Sequence, residues 1–267
     1  MTTALDRPAA RIGDLLTGLR ATGEAISGKQ WLSDELAGGP AAPLDALGST
    51  ERPLSALDEA GFGFLTPLIS FLEEPLDRLR GDPDAVAGGA AEFDRAAGEA
   101  TAVAEEYRSS AGDQTDQWSG SAASDYLRTG TELADGVLSI AETSLTAAKA
   151  LVGAGEVVAQ VVATTTGLIA EAVAEIGPIM AKAVAEAPAT FGQSLAVAIP
   201  QCVRIAVDCG VRIAAQLAAL LTSGENLIKL IEGALGVLSV VKEVLSFISE
   251  RSESTTPDTD PTSEEPA

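Results

Sequence analysis

Residues that could support catalysis are few in this chain, and they do not form a focused cluster. Histidine is absent, which removes the usual general base near neutral pH and the commonest zinc ligand. The paired acids Glu73–Glu74 and Glu105–Glu106 occur in helix-like stretches, where solvated surface charge explains them better than acid–base chemistry. No glycine-rich phosphate loop follows a strand pattern. We therefore expect no enzymatic activity, no cofactor and no metal ion.

The two cysteines, Cys202 and Cys209, are seven residues apart. If one helix carries both, their Cα atoms are about 10 Å apart, which exceeds the disulfide limit of about 7 Å. We therefore expect both to be buried as small apolar side chains. The pair does not indicate a redox compartment.

The composition indicates an all-α fold. Of the 267 residues 46% are apolar but only 4% are aromatic, so the apolar content is mainly alanine, valine, leucine and isoleucine. Such chains usually form helical bundles. The formal net charge of −22 is best explained as a solvated acidic surface, and the absence of clustered lysine and arginine argues against nucleic-acid binding.

Two heptad patterns predict a pair of long helices joined by a short loop. Asp82-Pro83-Asp84 is typical of a helix start, and the first helix is expected to end near Gly112. The second is expected to reach Ile176, before Gly177-Pro178. A short connection makes such helices antiparallel, so we expect a coiled-coil-like helical hairpin within a bundle. Its predicted seam includes Val86, Phe93, Tyr107, Leu133 and Ile140.

Changes in amino-acid composition along the chain suggest four regions. Residues 1–80 contain short apolar runs broken by glycine and proline, and we expect them to form a cap of short helices. Residues 81–150 form the predicted hairpin, and 151–249 a region of apolar helices. Residues 250–267 are rich in proline, serine, threonine and acids and are predicted to be a disordered acidic tail.

The region 151–249 is apolar enough to raise the question of membrane contact. Charged residues interrupt it, and its longest uncharged run, between Glu186 and Arg204, contains Pro188 and Pro200. We expect buried helices of a bundle, with insertion into a membrane as the alternative.

The predicted loop carries Trp118, one of only two tryptophans. Trp118-Ser119-Gly120 between two amphipathic helices resembles the Trp-X-Gly (WXG) motif of the type VII secretion substrate family. The continuation to Tyr126 and the upstream stretch GFGFLTPLISFLEEPLDRLRGDPDAV resemble the larger actinobacterial members of that family. The resemblance implies recognition by a partner or by the secretion apparatus through Trp118, Gly120 and Tyr126.

The resemblance also implies export in folded form as a homo- or heterodimer. The expected partner is a WXG-type hairpin protein, the secretion ATPase or an adjacent toxin. Synthesis in the cytoplasm, followed by a signal-peptide-independent route to the envelope or outside, agrees with the lack of a signal-peptide pattern at the N-terminus. One departure is that the family's Tyr-x-x-x-Asp/Glu signal is missing, since Ala111 follows Tyr107 and Gly130 follows Tyr126 at that offset.

Three functions are consistent with the sequence. The first is a non-enzymatic secretion substrate or carrier that acts through the helical hairpin. The second is a membrane-active, pore-forming or membrane-binding secreted effector that uses residues 151–249. The third is a structural amphipathic bundle that coats apolar cargo, which would leave the tryptophan loop without a role.

Overall fold

The structure, a computed structural model, describes residues 6–253, with side chains from residue 12 to residue 246. All regular secondary structure in this part of the chain is helical, which confirms the all-α class. The α-helices are α1 (Asp6–Ser27), α2 (Asp34–Ala37), α3 (Ser55–Glu59), α4 (Thr66–Ile69), α5 (Glu74–Leu79), α6 (Pro83–Thr115), α7 (Ser121–Glu186) and α8 (Gln193–Glu253). Two 3₁₀ turns cover Leu44–Gly48 and Ser70–Leu72.

The predicted tail falls mostly outside the described residues. Helix α8 includes residues 250–253, the first four of the predicted tail, and 254–267 lie beyond the described part. The other proposed region boundaries, after residues 80 and 150, stay predictions.

The chain divides into two compact units, one built from three separate segments and the other from two. Among the described residues, unit 1 contains 6–24, Phe93–Ala147 and 231–253, and unit 2 contains Ala25–Glu92 and Ala148–Leu230. Helices α6, α7 and α8 each contribute residues to both units. Domain organisation is therefore set by packing along long helices and not by consecutive stretches of sequence.

Unit 1 is a bundle of long helix segments. Helix α1 packs on α7, where Arg20 Nε donates to Glu142 Oε1 at 2.8 Å. Helix α8 packs closely on α7 at Gly136. A Cβ atom added to this glycine would lie only 2.5 Å from Leu245 Cδ2. Helices α6 and α7 are joined by an ion pair between Arg108 and Asp135.

Unit 2 has a larger aliphatic core. The short helices α3–α5 lay a row of fully buried side chains against α7 and α8, comprising Leu54, Leu57, Leu65, Ile69, Leu72 and Leu76. Helix α7 contributes Val162, Ile169, Ile176 and Met180, and helix α8 contributes Cys202, Ala206, Cys209 and Ile213. Burial of each large aliphatic side chain contributes about 1.5–3 kcal/mol.

The packing between α6 and α7 in unit 1 differs from the predicted seam. The buried positions of α6 in this unit include three alanines seven residues apart, Ala97, Ala104 and Ala111, whereas Phe93, Tyr107 and Ile140 remain partly exposed. Gly130 of α7 meets Ala111 so closely that an added Cβ would lie 3.2 Å from the alanine methyl. Helices that approach this closely leave no room for large side chains at the centre, so these lie along its edges. Val86 and Leu133 are intermediate in burial.

The alanine seam gives a test of this packing. Ala104→Leu places three extra carbon atoms at a position with 0% exposure, so we expect a loss of about 1–3 kcal/mol in the free energy of unfolding. Ala102→Leu, on the exposed face of the same helix, should change it by less than about 0.5 kcal/mol. Urea unfolding followed by circular dichroism measures both, and equal losses would show that this seam is not tightly packed.

Two predicted helix ends were wrong. Helix α6 continues through Gly112 to Thr115, because Gly112 does not adopt the positive φ that ends a helix. Helix α7 passes through Pro178 to Glu186 and does not end at Ile176. Pro178 and Ala174, the residue whose carbonyl loses its helical partner, are both exposed, so water can bind that carbonyl. Pro200 lies within α8 in the same setting.

Candidate recognition site at the loop between α6 and α7

The loop between α6 and α7 is short and held by backbone hydrogen bonds. Helix α6 ends at Thr115, and the backbone N–H of Trp118 donates to its carbonyl at 2.9 Å. Helix α7 begins after Gly120, whose carbonyl accepts from the Ser124 N–H at 3.4 Å. Gly120 has φ +93°, a conformation that a side chain would strain. The glycine of the motif therefore has a backbone reason to be glycine.

Trp118 is held in place by Tyr126 but is not buried. The ring centroids are 5.6 Å apart and the ring planes are tilted by 53°, within the range of favourable aromatic pairs. The Tyr126 hydroxyl donates to Gln114 Oε1 at 2.8 Å, which ties the first turns of α7 to the last turn of α6. The indole nevertheless remains 55% exposed. A large aromatic surface is thus fixed in orientation and open to solvent.

A third aromatic residue extends this surface. Tyr107 of α6 lies beside Gly130, with Cε1 3.8 Å from the position that a Cβ would take, and it too is partly exposed. Tyr107 and Gln114 are two turns apart on α6, and Tyr126 and Gly130 are one turn apart on α7. The contact of Tyr107 with Gly130 and that of Tyr126 with Gln114 are therefore neighbours along one side of the helix pair. We call Tyr107, Trp118 and Tyr126 the aromatic edge.

Acidic residues flank the loop that carries part of the aromatic edge. Asp113 and Asp116 are exposed near the end of α6, and Asp125 lies in the second turn of α7, where it accepts from Arg128 at 2.9 Å. Arg128 and Asp125 lie in one turn of α7. We call Asp113, Asp116 and Asp125 the acidic rim. A partner surface that covers the aromatic edge would have to match three aromatic rings and this acidic rim.

Glu132 is the buried carboxyl of this end of α7. Burial raises its pKa, Arg128 opposes the rise and Asp135 adds to it. A raised pKa in the folded state means that ionised Glu132 costs stability, and the cost appears as pH rises through that pKa. At acidic pH, below the usual value of 4.5, the carboxyl is neutral in both states and the cost is absent.

We therefore expect Glu132→Gln to raise the melting temperature at neutral pH by up to about 3 °C, which corresponds to on the order of 1 kcal/mol in a chain of this size. The difference from wild type should shrink as pH falls below the pKa of the buried carboxyl. Asp113→Asn, at an exposed carboxyl, is the control and should show no such gain. Destabilisation by Glu132→Gln at neutral pH would contradict the assignment.

Among the described residues no group of three or more His, Cys, Asp or Glu is arranged to hold a metal ion. Cys202 and Cys209 lie on α8, and both are buried and free, as their spacing predicts. Burial raises the pKa of both thiols, which lowers the fraction of reactive thiolate.

The second tryptophan has the opposite environment. Trp31 is 3% exposed, its Nε1–H donates to the Ile26 carbonyl at 3.2 Å, and Gly153 of α7 packs on its ring. Its setting is structural, and the sequence around it, Trp31-Leu32-Ser33, lacks the Trp-X-Gly pattern.

A further exposed aromatic residue was not singled out by the sequence patterns. Phe191, in the loop between α7 and α8, is 99% exposed and has φ +51°. Hydrogen bonds from Gly192 N–H to the Ala187 carbonyl and from Ser194 Oγ to the Ala183 carbonyl close the loop around it. The only local sequence signal is the following Gly192, which also has a positive φ.

No protein-family model, curated protein or solved structure matches this chain.

Proposed function

We propose that this protein is a non-enzymatic substrate or carrier of a type VII secretion system and docks on a protein partner through a helical hairpin formed by α6 and α7. The observation that carries the proposal is Trp118, which is more than half exposed and oriented by Tyr126. A fixed tryptophan in solvent is typical of an interface anchor, because little side-chain entropy is lost when a partner covers it.

The proposed partner supplies what this chain lacks. Since neither Tyr107 nor Tyr126 is followed by an acid at the fourth position, the export signal would come from a second hairpin protein that carries Tyr-x-x-x-Asp/Glu. The secretion ATPase or an adjacent toxin are the other proposed partners. The aromatic edge would contribute the apolar centre of such an interface, and the acidic rim its specificity.

Export from the producing strain tests the proposal. The ratio of extracellular to intracellular protein is compared between the parent strain and a strain that lacks the type VII secretion ATPase. The proposal expects the protein to accumulate inside the mutant cells, while a protein with a signal peptide is exported normally. Normal extracellular levels in the mutant would end the proposal.

A membrane-active effector is the second candidate, favoured by α7, α8 and the loop between them. Both helices are long and apolar enough to cross a membrane by length and composition, but the core helices of soluble proteins also pass this test. The most apolar window of α7 is 56% buried, whereas that of α8 is only 22% buried. Phe191 lies fully exposed between them, within the uncharged stretch from Glu186 to Arg204.

Vesicle flotation separates this candidate from the first. If the loop enters lipid, Phe191→Ser should lower the fraction bound to phosphatidylcholine vesicles by at least about 10-fold, because burying one phenylalanine contributes about 1.5–3 kcal/mol. Val103→Ser, at an exposed apolar position of α6, is the matched control and should bind as wild type does. A wild-type protein that stays wholly in the soluble fraction at neutral and acidic pH would exclude this role.

A further inference from the structure

Within unit 2, helix α8 has a second apolar face that its own core does not use. One face is buried and carries Cys202, Cys209 and Ile213, whereas the other exposes large aliphatic side chains, with Leu221 70% exposed. The exposed set repeats at 4, 3, 4, 3 and then 7 residues and consists of Val207, Val211, Ala214, Ala218, Leu221 and Ile228. We call this set the α8 seam. Its spacing is that of a coiled-coil interface about 32 Å long.

We propose that the α8 seam pairs in antiparallel orientation with the α8 seam of a second copy of this chain. The charges that border the seam favour a second copy of the chain as the binding partner. Asp208 follows Val207 at one end and Lys229 follows Ile228 at the other, and both are exposed. Neither forms an ion pair with another described side chain.

Asp208 and Lys229 occupy the same flanking position of the heptad, since they are three heptads apart. In an antiparallel pair, flanking positions of one type face each other across the two-fold axis. Asp208 then faces the second copy's Lys229, and by symmetry Lys229 faces the second copy's Asp208. The two unpaired charges on one helix thus become two ion pairs in the dimer.

A parallel arrangement would not be complementary. Glu225 continues the seam between Leu221 and Ile228, so parallel pairing would place it against the same glutamate of the second copy. The positions that would face Asp208 and Lys229 in a parallel pair are Val203 and Gly224, which carry no charge. Antiparallel pairing separates the glutamates and places an aliphatic layer opposite each of them.

A second copy also fits this face better than a lipid surface does. Lipid would cover Asp208 without supplying a counter-charge, at a high desolvation cost. A second α8 supplies Lys229 to Asp208. Ala214 and Ala218, near the middle of the seam, are small enough for the two backbones to approach closely.

Sedimentation velocity of the full chain over a range of micromolar concentrations tests the proposal. We expect a monomer–dimer equilibrium in which Leu221→Ser weakens dimerisation by at least about 10-fold. Lys229→Asp should also weaken it, by roughly 10-fold, because two symmetric ion pairs become two repulsive pairs. The double variant Asp208→Lys/Lys229→Asp reverses both signs and should restore wild-type association. Val103→Ser, on α6, should have no effect.

Several results would overturn the proposal. They are a wild-type chain that stays monomeric throughout, a dimer that Leu221→Ser leaves unchanged, and failure of the charge-swapped double variant to restore association. Binding of a monomeric wild-type chain to phosphatidylcholine vesicles, lost in Leu221→Ser, would assign the seam to lipid. Circular dichroism confirms that each variant is folded. Export of Leu221→Ser at the wild-type level separates this interface from the one proposed for the aromatic edge.

Discussion

Replacing Trp118 with alanine should weaken partner binding, and with it export, by at least about 10-fold, while the free energy of unfolding falls by no more than about 1.5 kcal/mol, the contribution of one aromatic pair. The physical reason is that the indole is fixed but 55% exposed, so its apolar surface is available to a partner and contributes little to the fold. The measurements are the ratio of extracellular to intracellular protein in the producing strain and a thermal melt of the purified variant.

A matched control separates this effect from a general loss of surface hydrophobicity. Val103→Ala removes an equally exposed apolar side chain from α6 outside the loop, and it should be exported as wild type is. Tyr126→Phe keeps the ring that contacts Trp118 but removes the hydroxyl that donates to Gln114, so we expect a smaller loss. Normal export of Trp118→Ala would show that the tryptophan is not part of the recognition site.

Replacing Trp31 with alanine should have the largest effect on stability, a loss of about 3–5 kcal/mol in the free energy of unfolding. Trp31 is 3% exposed, and its ring fills the space beside Gly153 of α7. The adjoining backbone is anchored to α8, where Asn226 Nδ2 donates to the Trp31 carbonyl at 3.4 Å and Ser223 Oγ accepts from Ser33 N–H at 2.9 Å. Truncation would leave a cavity at this junction of unit 2.

The two tryptophans can be followed separately, because each single variant leaves one emitting residue. Trp118→Ala should retain the blue-shifted emission of a buried indole, and Trp31→Ala the red-shifted emission of an exposed one. Urea unfolding followed by circular dichroism gives the two stabilities. Equal stabilities for the two variants would contradict the assignment of Trp31 to the core.

Some features of this fold follow from the sequence because they depend on local physics. The alanine-rich, aromatic-poor composition and the heptad repeats predict long helices, and α6 and α7 form where those repeats occur. The cap at Asp82 is also local, since its carboxylate accepts from the Asp84 and Ala85 N–H groups at 2.9 and 3.2 Å. The position of the loop near Trp118 follows from the break between the repeats.

Other features depend on what packs against each helix. A heptad repeat does not reveal whether its alanines or its large residues form the buried centre, and in α6 the alanines do. Proline ends a helix in most settings, yet Pro178 lies inside α7 because neighbouring Ile176 and Met180 are held in the core of unit 2.

The sequence by itself determined the helical class, the loop with its glycine and the absence of histidine chemistry, because composition, spacing and backbone preference act within a few residues. Only the tertiary structure decided that Trp31 is buried and Trp118 exposed, and that α8 keeps an uncovered apolar face. Burial depends on residues far away in the chain, and a repeat of apolar positions is the same whether or not another helix covers it.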